Sequence, residues 1–485
     1  MPFENDISME SKYQYLAKNT VIFAISSFSS RILVFLLVPL YTSVLSTSDY
    51  GIADIIVTST TLLSYVFTLD IADSVLRFAI ERKDEQKRIL SYGIRVLLFG
   101  SVLLAGGIIV FYYSKYGSWN RYYYLFLFLN FFALSLNQII NNYLRAIDKI
   151  KEVAIAGIIQ TITTIILNIL LLLIIRTGVY GYLISIIVGS LSSALYSFIA
   201  IKLTPRELFS EHCKKETQKE MYCYSIPLIF NGIAWWINNS IDKYFVIYML
   251  GNAENGVLAI SYKIPTILMV FHLIFAQAWN LSAIKEYDKE DKDVFISSIY
   301  SFYNAGLVVL CSILILLNIP LARLLYAKEF FVAWKCSSIL LFSTLFSCLS
   351  GIIGSIFSAV KASRFFAFST VSSAIINVIL NYILIHFWGI IGAAIATAVS
   401  YIFVWMIRLF YARKFVNLKI NLKKDVFCYF LISVQVIFEH ANVFLRYAEI
   451  LIVLLIIFLY KDSILHLLYK VKDQLGKRLM VLRKE

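Results

Sequence analysis

Residues 153–201 read VAIAGIIQTITTIILNILLLLIIRTGVYGYLISIIVGSLSSALYSFIAI, and the only charged side chain in the run is Arg176. A helix that crosses the hydrocarbon core needs about 20 apolar residues. This stretch therefore holds two such helices, near 153–175 and 180–201, joined at a turn around Gly178. The rest of the chain follows the same pattern. Of its 485 residues 60% are apolar and only 15% charged, whereas a soluble domain carries roughly 45–50% and about 25%. The chain belongs in lipid.

A window of about 19 residues finds about 14 transmembrane helices. Six lie near 17–42, 50–77, 89–112, 122–145, 153–175 and 180–201. Six more lie near 223–250, 256–282, 294–318, 332–360, 365–387 and 390–411, with a shorter last pair near 425–440 and 443–460. The expected fold is an all-α polytopic membrane protein. Its start, with Glu4, Asp6 and Glu10, is acidic rather than basic, so the first span reads as a permanent helix and not a cleaved signal.

The net charge of +14 invites a nucleic-acid partner, but its placement speaks for topology. With the N-terminus cytoplasmic, 32 of the 44 Lys and Arg fall in cytoplasmic segments or at the span ends beside them, 7 in the opposite segments or at their span ends, and 5 deeper inside spans. That is the positive-inside bias. Both termini are expected in the cytoplasm, next to anionic membrane lipids, and no nucleic acid is called for. Trp119, Trp334 and Trp388 sit near the outer boundaries as interfacial anchors.

Spans 1–6 and 7–12 look like copies. Leu45, Asp49 and Gly51 match Leu250, Glu254 and Gly256 at a shift of 205; Leu167-Asn168 matches Leu380-Asn381 at 213; Gly178-x-x-Gly181 matches Gly389-x-x-Gly392 at 211. Six is even, so the copies run parallel about an axis along the membrane normal. The expected organisation is one six-helix bundle over 1–205, a second over 206–411, and an extra helix pair with a basic cytoplasmic tail over 412–485.

A charge near the bilayer centre costs about 2.5–3.5 kcal/mol and usually faces a cavity or a partner. Arg31 on span 1, Lys243 on span 7 and Lys263 on span 8 are the candidate cavity cations. Asp54, Asp70, Asp73 and Asp242 are the acids at depth. Span 7 aligns Asn231, Trp235, Asn238 and Asp242 at helical spacing, span 8 adds His272 and Gln277, and span 11 stacks Thr370, Ser373, Asn377 and Asn381. Span 5 repeats that stripe with Thr161, Thr164 and Asn168. For a single Asn or Thr the plainer reading is helix–helix glue, worth about 0.6 kcal/mol; for the cations a cavity role outweighs it. His272 is the one imidazole placed to carry a proton.

Six cysteines form no C-x-x-C pair, and five scattered histidines give no metal-ligand spacing. No G-x-x-x-x-G-K-[ST], H-E-x-x-H or G-x-S-x-G occurs. The outer loops are short, which leaves little room for the pocket of a membrane glycosyltransferase or polymerase. The reading is a carrier without cofactor, not an enzyme.

Several runs carry a resemblance. Lys18-Asn19-Thr20, Ser30-Arg31, Val38-Pro39-Leu40-Tyr41-Thr42, Leu45-Ser46, Tyr50-Gly51 and Arg77-Phe78 resemble the opening of bacterial polysaccharide flippases. Gln277-Ala278-Trp279, Ser282-Ala283 and Glu286-Tyr287 resemble the end of that family's eighth helix. Asn377-x-x-Leu380-Asn381-x-x-Leu384-Ile385, Gly389-x-x-Gly392-Ala393-Ala394 and Ala396-Thr397 are similar to its second-half signature. The superfamily also holds multidrug (MATE) exporters and the flippase of the peptidoglycan precursor. The resemblance implies two six-helix bundles around a V-shaped cavity with alternating access. It implies an oligosaccharide on undecaprenyl diphosphate, moved to the outer leaflet of a bacterial cytoplasmic membrane, with a proton or sodium gradient as the drive. A polysaccharide polymerase and glycosyltransferases are the partners it suggests. On that reading Arg31, Lys243 and Lys263 meet the diphosphate while Asp70 or Asp242 balances charge. Asp70 departs from the family pattern, so no family role is carried onto it. A drug exporter of the same superfamily is the alternative, although its cavity should be net acidic; a membrane-embedded polymerase is the alternative of another class.

Overall fold

The computed structural model describes residues 35–114, 119–202, 213–286, 292–360, 362–441 and 443–461. In chain order the helices are α1 (Val38–Val44), α2 (Thr47–Phe67), α3 (Ile71–Glu81), α4 (Gln86–Tyr113), α5 (Arg121–Ala146), α6 (Ile150–Asn168), α7 (Val179–Ile201) and α8 (Lys215–Leu250). They continue with α9 (Asn252–Ser261), α10 (Pro265–Glu286), α11 (Lys292–Leu316), α12 (Asn318–Leu325), α13 (Trp334–Ala359), α14 (Ser363–Ala412), α15 (Leu422–His440) and α16 (Val443–Leu459). The described residues contain no strand. The protein is an all-helical, multi-pass membrane protein.

Among the described residues eight helices are long and apolar enough to cross a membrane, nine if the α9–α10 pair, bent by 48°, is one span. Several features separate that count from fourteen. Helix α14 is two helices folded back at Gly389. Helix α8 carries Lys215, Glu216, Lys219, Glu220, Asp242 and Lys243 within its 36 residues. Helices α15 and α16 have 19 and 17 residues, and the first span lies mostly outside the described residues.

The chain divides into two compact units, residues 1–256 and 257–485. In the first, α3, α4 and α5 close around Ile71, Val75, Ile89, Leu97, Phe131 and Ile139, and Met221 of α8 enters the same core. Packing thus assigns α8 to the first unit, although the repeat pattern begins a new copy there. In the second unit α13 packs on α14, α10 and α11, and the α15–α16 pair lies against α11.

The duplication is written in the backbone. Gly178 has φ 61° and ψ −139°; Gly389 has φ 56° and ψ −138°. Only glycine enters that region without strain, and both residues turn one helix back on the next. The lipid-facing stripes repeat as well. Ile158, Ile162, Ile166 and Ile169 of the first copy are exposed, and so are Val371, Ile375, Ile379 and Tyr382 of the second, each at a shift of 213. On the opposite face Asn168 and Asn381 are buried and donate to the carbonyls of Thr164 and Asn377, one turn back.

The third matched pair meets directly within the first unit. A Cβ on Gly51 would lie 2.0 Å from the Asn252 carbonyl oxygen, and one on Gly256 would lie 1.9 Å from that of Thr47. Thr47 and Asn252 are themselves related by the shift of 205, so the crossing is self-complementary. Asn255 seals it by donating to the Gly51 carbonyl at 2.9 Å. Small residues that let two backbones touch are the usual glue of membrane helices.

Candidate functional site

At 1.5 Å per residue, the 36-residue α8 is about 54 Å long, well beyond the hydrocarbon thickness of about 30 Å. It lies along α2 and α3, and its contacts form a polar seam. At one end Lys214 meets Glu85 at 2.7 Å, and Arg82 binds Glu220 and Thr217. Lys214's hydrogen bond holds the Glu85 carboxyl below the ordinary glutamate range. Next come Ser74 and Ser225, whose hydroxyls are 2.7 Å apart, with Ser225 also donating to the Asp70 carbonyl at 3.5 Å. Gly232 follows; a Cβ there would strike the Tyr65 ring at 2.8 Å. Further along, Trp236 donates to the Thr58 carbonyl at 3.0 Å, and Tyr244 shares a hydrogen bond with Ser59.

The charged centre of the seam is Lys243. Its ammonium lies 2.9 Å from one oxygen of Asp54 and 3.0 Å from the other, and donates to the Thr58 hydroxyl at 3.3 Å. The Lys243 and Asp54 side chains are only 14% and 17% exposed. The carboxylate set against Lys243 is therefore Asp54. Asp242, next to it in the chain, is buried on another side of α8.

Asp70 has a different part. It stands with Leu69 where α2 ends and α3 begins, and the two have φ 50° and 54°. Consecutive left-handed non-glycine residues cost about 1–2 kcal/mol each, and such strain gathers where function needs a fixed backbone. Gly100 of α4 makes room for the break, since a Cβ there would lie 2.0 Å from the Phe67 carbonyl oxygen.

The span-7 stripe divides in two. Asn238 and Asp242 are buried, whereas Asn231 and Trp235 are exposed. Lys263 occupies the turn between α9 and α10, its own amide bonded to the Ile260 carbonyl. In the second unit His272 bonds the Tyr303 hydroxyl and faces Gly351. Asn377 and Asn381 form a buried ladder, Asn377 donating to Ser400 at 3.2 Å and Asn381 to the Asn377 side-chain oxygen at 3.0 Å. Gln277 lies on α10 with its side chain outside the described residues, and Arg31 lies outside them altogether.

The profile of the family described as "polysaccharide biosynthesis protein" matches residues 16–280, more than half of the chain. The chain belongs to that family. Among curated proteins this family member is 22% identical to the uncharacterized membrane protein MJ1375 of Methanocaldococcus jannaschii, over 81% of its own length and 97% of the relative's. It is 25% identical to the probable low-salt glycan biosynthesis flippase Agl15 of Haloferax volcanii, over 43% of its own length and 45% of the relative's. Among solved structures it is similar to the lipid II flippase MurJ in an inward closed conformation, at a TM-score of 0.68 and 19% identity, covering 92% of this chain and 100% of that one. An inward-facing MATE transporter of the MOP superfamily matches at 0.64 and 14% identity, over 81% and 97%. These likenesses give the family member its fold.

Two sets of residues escaped the sequence reading. Arg408, at the cytoplasmic end of the expected span 390–411 and grouped there with the basic segment that follows, is buried in α14, bonded to Ser369, Thr370 and the Ser350 carbonyl and stacked on Phe366. The second set is a buried carboxylate pair, Glu439 and Glu449; acids inside the two last apolar stretches were the available signal. Taken together, the seam holds a cation paired with a carboxylate and bordered by hydroxyls and aromatic rings.

Proposed function

We propose that the protein is a flippase that moves undecaprenyl-diphosphate-linked oligosaccharide from the cytoplasmic to the outer leaflet of a bacterial cytoplasmic membrane, by alternating access, for surface polysaccharide synthesis. The family match over residues 16–280 carries this reading. The MurJ-like fold and the likeness to a glycan biosynthesis flippase support it. A diphosphate cannot cross hydrocarbon bare, because an uncompensated charge there is expensive. Lys243 is the described cation best placed to meet it. Asp54 serves as its counter-charge at rest, and the arriving diphosphate competes for the same ammonium. Arg31 and Lys263 complete the proposed cation set.

The test is the sidedness of the lipid-linked sugar. The gene is deleted in its own host, and sealed spheroplasts are probed with a sugar-specific lectin that does not cross membranes. Loss of outer-face label with accumulation inside supports the flippase. Unchanged outer label with new sensitivity to cationic dyes rejects it in favour of a drug exporter. Unchanged lipid on both faces with loss of long polymer points to a polymerase instead.

A further inference from the structure

The α15–α16 pair closes over a buried polar cluster that the proposed transport path does not use. Glu439 and Glu449 are 1% and 2% exposed, and Asn318, Ser338 and Gln435 are fully buried. Asn318 donates to one Glu439 oxygen at 2.9 Å. Gln435, one turn before Glu439, exchanges hydrogen bonds with Ser312 at 2.7 and 2.8 Å. Glu449 feels both Glu439 and Arg446, and Glu439 feels Arg446 in turn.

Four buried oxygens of the cluster lack a hydrogen bond of ordinary geometry among the described residues: Asn318 Oδ1, Ser338 Oγ, Glu439 Oε2 and Glu449 Oε1, as does Arg446 Nε; Ser338 and Gln435 still stand near enough to Glu439 and Glu449 to interact with them. Buried polar atoms in native proteins are nearly always satisfied. Four orphan oxygens in one place therefore point to a ligand that accepts lone pairs. The charge count says which. Two carboxylates against one guanidinium leave a deficit of one positive charge, and a buried unpaired charge is strongly destabilising. The other ionisable groups near this end of the pair do not fill it. His440 is exposed and faces the Val436 and Lys335 carbonyls, Lys335 and Arg323 are exposed, and Cys311 and Cys336 are buried thiols. A divalent ion is undersupplied, since the described residues contain no group of three His, Cys, Asp or Glu.

We propose that Glu439, Glu449, Asn318 and Ser338 form a binding site for one monovalent positive charge, a sodium ion or a proton. Binding stands apart from the flippase reading; only its use to drive transport rests on that reading. Hard oxygen donors suit sodium, and a shared proton between the carboxylates satisfies the same count.

The test uses the purified full-length protein in nanodiscs, without any transport substrate. Melting temperature is followed while choline is replaced by sodium at constant ionic strength and pH, and again across pH 5–9 without sodium. A saturable sodium-dependent rise that is lost in Glu449→Gln assigns sodium. A pH-dependent rise without a sodium response, flattened in the same variant, assigns the proton. Arg446→Gln widens the charge deficit, so it shifts either response toward lower cation concentration, an effect that a merely structural cluster would not give. Where Glu449→Gln fails to fold, Glu439→Gln takes its place. Wild type, Glu449→Gln and Arg446→Gln responding alike to both titrations would overturn the site, whatever the outcome of the lectin assay.

Discussion

Lys243 shows how much a side chain's meaning depends on its neighbour. As a lone cation at depth it looks free to grip an anion; against Asp54 at 2.9 Å it is half of a mostly buried ion pair. Removing one member of such a pair leaves the other unpaired, which costs about 3–5 kcal/mol when burial is complete. The residual exposure of both side chains puts the expected loss for Lys243→Met or Asp54→Asn toward the lower end. The double variant Asp54→Leu/Lys243→Met should lose less than the two singles summed, as a double-mutant cycle on melting temperature would record. The exchange Asp54→Lys/Lys243→Asp should recover most of the stability. It should not recover export, if the ammonium must stand on α8 to meet a diphosphate; recovered export in the exchanged protein would strip Lys243 of that part. The cation and the need for a partner were legible in the sequence. The partner was not, because choosing among Asp54, Asp70 and Asp242 requires the rotation of α8 against α2, which no local pattern sets.

At the scale of helices, the legible features are those that a single residue type enforces. Gly178 and Gly389 announce the same turn twice because only glycine tolerates φ near +60° with ψ near −140°. A Cβ on Gly178 meets nothing within 4 Å, so Gly178→Ala isolates backbone strain and should cost about 1–3 kcal/mol. Gly389→Ala should cost a similar amount. Gly392→Ala adds a collision, its Cβ falling 2.0 Å from the Leu384 carbonyl oxygen, and should be worse than either. Gly106 and Gly107 of α4 have open space around them, so alanine there should cost nothing. Thermal melts of the set in one detergent check the ranking; Gly178→Ala matching Gly106→Ala would mean that the turn is not needed. The break between α2 and α3 was invisible from sequence for the complementary reason. It is made by Leu69 and Asp70 in a left-handed conformation, with no Gly or Pro in the break to mark it. What admits it is Gly100 on a different helix, a long-range cause that a sliding window cannot register. Arg408 was missed in another way: it lies one turn from the end of α14, where a cation reads as a boundary charge although its side chain is buried.

For the molecule as a whole, the alternation of basic segments says more than the count of spans. A missed or invented helix inverts every segment after it, yet 32 cations keep to one set of segments and 7 to the other. Helix α8 offers a direct check, since its length of about 54 Å exceeds any bilayer core. The expectation that α8 crosses the membrane puts its first residue and the turn beyond its end on opposite sides. Lys215 and Glu254 are both exposed, and among the six free cysteines only Cys223 is exposed, the other five being buried. In a Cys223→Ser background, Lys215→Cys should react with an impermeant maleimide in inside-out vesicles and resist it in intact cells. Glu254→Cys should behave the other way round. A reversed pattern would invert the protein and place the Lys214–Glu85 end of the seam outside, where a substrate made in the cytoplasm could not first encounter it. Labelling of both from one side would mean that α8 does not cross, and the parallel relation of the two copies would fall with it, because that relation rests on an even number of spans before α8 begins.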